Sequence, residues 1–220
     1  VWMHPAPRHD GYDRLKQHPC GSGGQHNDFT ATFTALSVGE NTLEFREPVY
    51  HRGAPVRIAF THGDDSRYDE YVLLDHIPHC DACSGRENNQ RGAYHKVGVT
   101  VPDVLCREED KCALQLVQIM SDKFTTPCEP DQLVNSCGSS SWTYFSCANV
   151  LVNGTTPVAQ LAKTYTSWDG VSCPHAWHKE SGGGWQKTGL YWSMTEPAKA
   201  PTPCPGGEPT DPSPTDDDGA

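Results

Sequence analysis

The sequence predicts an all-β protein folded as an antiparallel β-sandwich with long loops and several disulfides. Short runs of alternating apolar and polar residues recur along the chain, and turn-forming residues separate them. No alternation of strands with amphipathic helices occurs, and neither a GxGxxG motif nor a phosphate-binding P-loop is present. Ten cysteines in 220 residues indicate a disulfide framework. These observations argue against a nucleotide-binding α/β fold.

Seven strands follow from the alternation, each rich in β-branched or aromatic residues. Val56, Ile58 and Phe60 alternate with smaller or polar residues, which is typical of a strand buried on one face. The spacing of the strands is that of an immunoglobulin-like or fibronectin-III-like sandwich. A single helical turn is predicted over 158–164. In chain order the predicted strands are 29–36, 42–46, 54–61, 71–77, 96–101, 113–120 and 142–152.

The composition divides the chain into a folded body, 1–195, and a tail, 196–220. The body has a sandwich core over 1–157 and a loop-rich extension over 158–195, where a run of three glycines indicates loop. Residues 195–220 contain six acidic residues, one lysine and seven of the 18 prolines. Such a segment buries no core, so it predicts a disordered, extended tail or linker.

Charge and cysteine content restrict the partners and the compartment. The formal net charge of −11 argues against nucleic acid or an anionic membrane as a partner. No apolar run approaches the roughly 20 residues of a membrane span. The cysteines indicate an oxidising compartment, so we expect a secreted or cell-surface monomer whose signal peptide was removed before Val1. The proline- and aspartate-rich tail resembles a bacterial surface linker.

The positions of the cysteines suggest disulfide pairs, although ten cysteines allow many alternatives. Cys106 and Cys112 bracket a charged loop between two strands, so this pairing is the best supported. Cys20 and Cys147 would join the N-terminal segment to the last core strand. The remaining pairs are then Cys80 with Cys83, Cys128 with Cys137 and Cys173 with Cys204.

Two other groups of residues deserve comparison with known sites. His76, His79, Cys80 and Cys83 have the residue types of a zinc site, but an oxidising compartment favours a disulfide here. The pair His175 and His178 lacks a clear third ligand. No Gly-x-Ser-x-Gly or HExxH motif is present, so the sequence shows no hydrolytic machinery of these types.

Four sequence blocks occur in a defined order within residues 1–152. They are Pro5-Ala6-Pro7-Arg8 followed by Leu15-Lys16-Gln17-His18-Pro19-Cys20-Gly21; Glu47-x-x-x-His51-x-Gly53 leading into Val56-Arg57-Ile58-Ala59; Leu114-Gln115-Leu116-Val117-Gln118; and Tyr144-Phe145-Ser146-Cys147-Ala148-Asn149. In this order they resemble the secreted lytic polysaccharide monooxygenases and their bacterial monooxygenase-like relatives. The order of the four blocks, rather than any one of them, carries the resemblance.

The resemblance implies a copper ion held in a histidine brace. The ligands are the α-amine and imidazole of an N-terminal histidine and a second imidazole, which His51 would supply. Tyr144 would lie on the axial side of the copper as the catalytic residue, or it is an ordinary packing residue. Residue 1 is Val1, and the spacing to Pro5 places the expected histidine two residues before it. His4 is the alternative ligand, but it lacks an adjacent α-amine.

The implied function is copper-dependent oxidative cleavage of an insoluble polysaccharide of the chitin or cellulose type, with an external electron donor. The alternative is a non-catalytic relative with the same fold that binds polysaccharide or copper. Four tryptophans in the C-terminal third would either stack on sugar rings or cover one sheet: Trp168, Trp177, Trp185 and Trp192. Gln118 and Arg57 are either neighbours of the metal or structural residues.

Overall fold

The computed structural model describes residues 1–9, 15–21, 26–47, 56–77, 93–119 and 143–167, and four short strands beyond them. These residues are mostly β-strand, which confirms the all-β prediction. The described helical elements are three-residue 3-10 turns, and Val158–Gln160 falls where the sequence predicts a helical turn. None of the described helices has the length and apolar character needed to cross a membrane.

Fourteen strands occur in the described residues. They are β1 (Trp2–His4), β2 (Phe33–Leu36), β3 (Gly39–Glu47), β4 (Val56–Thr61), β5 (Tyr71–Ile77), β6 (Ala93–Val101), β7 (Leu105–Cys106), β8 (Ala113–Ile119), β9 (Thr143–Asn153), β10 (Thr164–Ser167), β11 (Ala176–Glu180), β12 (Gln186–Lys187), β13 (Leu190–Tyr191) and β14 (Thr202–Pro203).

Five strands form one sheet in the order β1-β3-β6-β11-β12, and every neighbouring pair is antiparallel. The longest ladder joins β3 to β6 over nine residue pairs. In β6, Val97, Val99 and Val101 are buried, whereas the residues between them are more exposed. This period of two turns one face of the sheet toward the core.

The second sheet has seven strands in the order β10-β5-β4-β8-β9-β2, with β7 also paired to β9. Its central pairs are antiparallel, whereas the edge pairs β2–β9 and β10–β5 are parallel. Alternation and turn spacing predict pairing only between strands that are close in sequence. Parallel neighbours need long connections, so this pattern does not reveal them. The purely antiparallel prediction is therefore wrong at these two edges.

One cluster of buried apolar side chains takes members from both sheets, so the sheets share a core. The five-stranded sheet contributes Leu43 and Phe45, and the seven-stranded sheet contributes Ile58, Leu116 and Val150. These five side chains are at most 5% exposed. Burial of an apolar side chain of this size contributes about 1.5–3 kcal/mol, so this cluster contributes substantially to stability.

The N-terminal segment covers the outer face of the seven-stranded sheet. A second cluster there includes Cys20, Ala59, Tyr68 and Cys147, and the Cys20–Cys147 disulfide ties the segment to β9. All six residues of β4 are consequently buried. The prediction that this strand is buried on one face only is wrong, because the alternation of side-chain types does not reveal cover by a distant segment.

Two of the predicted disulfides are confirmed, Cys20–Cys147 and Cys106–Cys112. The second closes the loop between β7 and β8, as its position in the sequence indicates. The other six cysteines lie outside the described residues, and so do the three disulfides predicted for them.

Buried ion pairs connect the N-terminal segment to the seven-stranded sheet. The Arg8 guanidinium donates to an Asp65 carboxylate oxygen at 2.7 Å, and both side chains are fully buried. Arg57 donates to Asp69 at 2.6 Å and to Gln115 at 2.5 Å. Of the two roles that the sequence leaves open for Arg57, these contacts favour the structural one.

The region predicted as a loop-rich extension contains strands that join the body. The strand β11 pairs with β6 over five residues, and β10 forms an edge of the seven-stranded sheet. Within the predicted tail, β14 pairs with β13. Glycine and proline content marks breaks between strands without excluding short strands among them, so the loop-rich extension and the tail stay predictions.

Candidate functional site

A cavity of about 100 Å³ lies at one end of the two sheets, where β3 ends and β1, β4 and β9 begin. Its walls combine apolar side chains with a few polar and charged ones, as is usual for a ligand site. The residues that line it are Val1, Leu15, Phe45, Arg46, Glu47, Val56, Leu116, Gln118, Tyr144, Phe145 and Ser146.

Strand register brings three of these residues together from distant parts of the sequence. Val56 is the register partner of Gln118, and Gln118 is the register partner of Tyr144. Register partners on adjacent strands have their Cβ atoms about 4.5–5.5 Å apart. The three residues therefore form one row across β4, β8 and β9 at the cavity.

The first residue of the chain is held at the same place. The α-amino group of Val1 donates to the Arg46 carbonyl oxygen, and the Arg46 backbone N–H donates to the Val1 carbonyl oxygen, each at 2.8 Å. Trp2 is 1% exposed and packs edge-to-face on Phe45, with 6.5 Å between ring centroids. Burial lowers the pKa of the Val1 amino group from 8.0 to about 5, although the nearby Glu47 carboxylate opposes this shift.

Tyr144 is half-buried and lines the cavity. The Lys16 ammonium lies 5.4 Å from the centroid of the Tyr144 ring, within the range of a cation–π contact. On the same strand, the Ser146 hydroxyl accepts a hydrogen bond from the Trp2 backbone N–H at 3.3 Å. Strand β9 therefore presents Tyr144 to the cavity and anchors β1 beside it.

Gln118 adds a buried polar group to the cavity. Its side chain is 8% exposed, and among the described residues its Nε2 has no hydrogen-bond partner. A buried amide without a partner costs about 1–3 kcal/mol. The N–H groups of Gln118 are thus available to donate to a ligand inside the cavity.

Glu47 and His95 form a buried pair at the wall of the cavity. His95 Nε2 donates to Glu47 Oε2 at 2.6 Å, and the two residues are 5% and 2% exposed. The imidazole stacks on Phe45, with 4.6 Å between centroids and 11° between planes. The sequence analysis did not select this pair. The sequence does show that Glu47, two positions after Phe45, lies on the inward face of β3, where a charged residue needs a buried partner.

The predicted metal ligand His51 lies outside the described residues. Glu47 and Val56 are the described residues that flank its segment, and both line the cavity. The alternative ligand, His4, is exposed at the end of β1, opposite Glu44.

The other candidate metal ligands do not form a site among the described residues. The only described group of three adjacent ligand types is Cys20, Asp65 and Cys147, and its two sulfur atoms form a disulfide. In the first zinc motif only His76 is described, as part of β5, and in the second only His178, opposite His95.

No family model, curated protein or solved structure matches this chain. Support for a function therefore comes from the residues at the cavity and from the order of the four sequence blocks.

Proposed function

We propose that this protein is a secreted, copper-dependent polysaccharide monooxygenase-like protein with an immunoglobulin-like or fibronectin-III-like sandwich. Its substrate would be an insoluble polysaccharide of the chitin or cellulose type, and an external donor would supply electrons. The two described disulfides fit a secreted protein, since disulfides persist in oxidising compartments.

One observation carries the proposal: the described residues that are neighbours in sequence of the expected brace histidines line one cavity, together with Tyr144. Val1 lies beside the expected position of the N-terminal histidine, and Glu47 and Val56 flank the segment that contains His51. Tyr144, which the resemblance implies would lie beside the metal, lines the same cavity. These positions are far apart in sequence, so their meeting is a property of the fold and not of a local motif.

The direction of β1 also supports the proposal. Because β1 is antiparallel to β3 and Val1 pairs with Arg46, a chain extended before Val1 would run toward the residues that follow Glu47. A histidine two residues before Val1 would thus lie near Glu47, the last described residue before the segment that contains His51.

The donor atoms of the described cavity residues are better suited to orient groups around a copper ion than to bind the ion directly. Described residues contribute the Glu47 carboxylate, the Gln118 amide and the Tyr144 hydroxyl, whereas copper(II) prefers nitrogen donors in a tetragonal arrangement. The proposal assigns those nitrogen donors to His51 and to the preceding histidine. Gln118 would orient a polar ligand, and Tyr144 would restrict access on one side.

Copper held in this way would supply the redox chemistry that activates oxygen or peroxide for hydrogen abstraction from an unactivated C–H bond. The protein would position this chemistry at the end of the sandwich, and the proposal requires a polymer surface to reach the cavity there. The half-buried Tyr144, with Lys16 over its ring, is suited to separate the metal from solvent.

The experiment compares the chain preceded by His-Ala with the chain that begins at Val1. We expect the extended protein to bind one Cu(II) with a type-2 EPR signal and to release oxidised oligosaccharides when a reductant is added. His51→Ala and the chain that begins at Val1 are expected to lose that signal.

Two results would count against the proposal. Copper binding without oxidised products would instead support the non-catalytic relative with the same fold. Absence of stoichiometric copper binding in the extended protein would reject both metal-dependent functions.

A further inference from the structure

We propose that His62 and Arg67 form an acid-sensitive latch on the connection between β4 and β5. In the closed latch the neutral imidazole of His62 accepts a hydrogen bond from the Arg67 guanidinium, and protonation of the imidazole releases the guanidinium. The connection consists of residues 62–70, all of which the structure describes. The latch lies away from the residues that line the cavity, and its action does not depend on the proposed copper site.

The His62 imidazole is buried, and its Nε2 atom faces two hydrogen-bonding groups. Arg67 Nη1 lies 3.1 Å from His62 Nε2, and the Tyr71 hydroxyl oxygen lies 3.3 Å from it. A guanidinium has donors only, so Nε2 is the acceptor and the proton of the neutral ring lies on Nδ1. The Tyr71 oxygen accepts from Arg67 Nη2 at 2.9 Å, which leaves the hydroxyl proton to point to Nε2. The closed latch therefore contains one form of His62, the neutral ring with its proton on Nδ1.

The charged groups that act on His62 come from the connection itself and from the 3-10 turn that precedes β8. Burial lowers the pKa of His62 below its usual 6.5, and the Arg67 guanidinium lowers it further. Three carboxylates oppose this shift without cancelling it, those of Glu70, Asp110 and Asp64. The neutral ring, and with it the closed latch, is thus the state favoured near neutral pH.

Protonation of His62 would turn the contact with Arg67 into a repulsion. The second proton of the ring occupies Nε2, so two donors and two positive charges would face each other 3.1 Å apart. Arg67 has somewhere to go, since 37% of its side chain is exposed and Glu70 accepts from its Nη2 at 2.9 Å. The Lys163 ammonium lies 3.5 Å from the same Glu70 oxygen, so Glu70 keeps a cation beside it when Arg67 leaves. The guanidinium, and not the buried imidazole, is therefore the group that moves.

The connection also carries residues that hold the N-terminal segment. Asp65 pairs with Arg8, and the Tyr68 hydroxyl donates to the Cys147 sulfur at 3.3 Å. Arg67 lies between Asp65 and Tyr68 in sequence, where the 3-10 turn that leads into β5 begins. Release of Arg67 would loosen the entry to β5 while its two neighbours keep their contacts. The latch thus predicts a local opening at low pH, and not global unfolding.

The test compares four single variants with the parent protein. His62→Leu removes the acceptor at every pH, and Arg67→Met removes the donor. His62→Gln supplies a side-chain oxygen that accepts from Arg67 without titrating, so this variant should keep the latch closed at low pH. His26→Gln makes the same substitution at a histidine whose side chain is 54% exposed, and it is the matched control.

Hydrogen exchange, corrected for the intrinsic effect of pH, measures the opening. In the parent we expect the protection of amides within 67–71 to fall by roughly 3–10-fold from pH 7.5 to pH 4.5, the effect of losing one hydrogen bond. His62→Leu and Arg67→Met should show this lower protection already at pH 7.5, whereas His62→Gln should keep the higher protection at pH 4.5. His26→Gln should follow the parent. Equal protection of the parent at both pH values, or no loss at pH 7.5 in either latch-opening variant, would overturn the proposal.

Nitrogen-15 NMR of the imidazole tests the cause of the opening. At pH 7.5 we expect the parent to show His62 with Nε2 unprotonated and a proton on Nδ1. In Arg67→Met the pKa of His62 should rise toward its usual value, because one of the two effects that lower it is removed. A proton on Nε2 at pH 7.5, or the same pKa of His62 in the parent and in Arg67→Met, would contradict the latch.

Discussion

Replacement of Arg8 by methionine tests how the N-terminal segment is fixed to the sandwich. The Asp65 carboxylate accepts hydrogen bonds from the Arg8 guanidinium at 2.7 Å, from the Tyr68 hydroxyl at 2.9 Å and from the Asn27 backbone N–H. The Arg8 and Asp65 side chains are fully buried. Without the guanidinium, the carboxylate stays buried beside the disulfide, and only these two remaining hydrogen bonds and the exposed His26 ring, 3.5 Å away, are left to offset its charge.

The expected loss of stability follows from burial. Removal of one partner from a buried ion pair costs about 3–5 kcal/mol, because the remaining charge keeps its desolvation penalty. The surface pair Arg107–Glu109, whose side chains are 64% and 69% exposed, is the comparison. Exposed pairs contribute about 0–1 kcal/mol, so Arg107→Met is expected to change stability by no more than that.

Urea unfolding with the disulfides intact measures the difference. With an m-value of about 2–3 kcal/mol per molar urea, Arg8→Met should lower the unfolding midpoint by roughly 1–2.5 M. The double variant with Asp65→Leu should be more stable than Arg8→Met alone, because the stranded carboxylate is also removed. A loss below about 1 kcal/mol in Arg8→Met, equal to that in Arg107→Met, would refute the reasoning.

Three further predictions concern the cavity and a turn. In the chain that begins at Val1, the folded-state pKa of the amino group is lowered from 8.0 to about 5, so the unfolded chain binds more protons between these values. Stability should therefore fall as the pH falls from 8 to 5, by an amount on the order of 4 kcal/mol, and thermal unfolding of the His-Ala-extended chain should lack this dependence. Gln118→Met should leave the free energy of unfolding unchanged within about 1 kcal/mol or raise it. The substitution removes a buried amide whose Nε2 has no hydrogen-bond partner among the described residues. A loss of stability above about 2 kcal/mol would show that this amide does have a partner. Gly154→Ala should destabilise by about 1–3 kcal/mol in chemical denaturation, because its Cβ would meet the Val104 backbone; a neutral result would show that this turn relaxes.

The positions of several strands along the chain could be predicted from side-chain alternation. Strand β5 has the predicted bounds, 71–77. Strand β8 ends one residue earlier than predicted, and β9 begins and ends one residue later. In contrast, β2 begins at Phe33, four residues later than predicted, since Asp28 accepts hydrogen bonds from Thr30 and holds a turn there. Local hydrogen bonds of this kind compete with strand formation and leave no trace in the hydrophobic pattern.

The candidate site was only partly predictable. Tyr144 could be selected from its sequence block, but its place beside Val1 and Gln118 depends on the register of strands that are distant in sequence. The Glu47–His95 pair depends likewise on the β3–β6 register, which places Phe45 opposite His95. Alternation predicts which face a residue occupies, whereas register decides which residues on that face meet.

The most direct measurement of the central claim is Cu(II) titration of the His-Ala-extended chain, monitored by calorimetry and EPR. The claim predicts one tightly bound Cu(II) per chain with a type-2 signal, and loss of that signal both in His51→Ala and in the chain that begins at Val1. An extended protein that folds with the same thermal stability but binds no stoichiometric copper would contradict it.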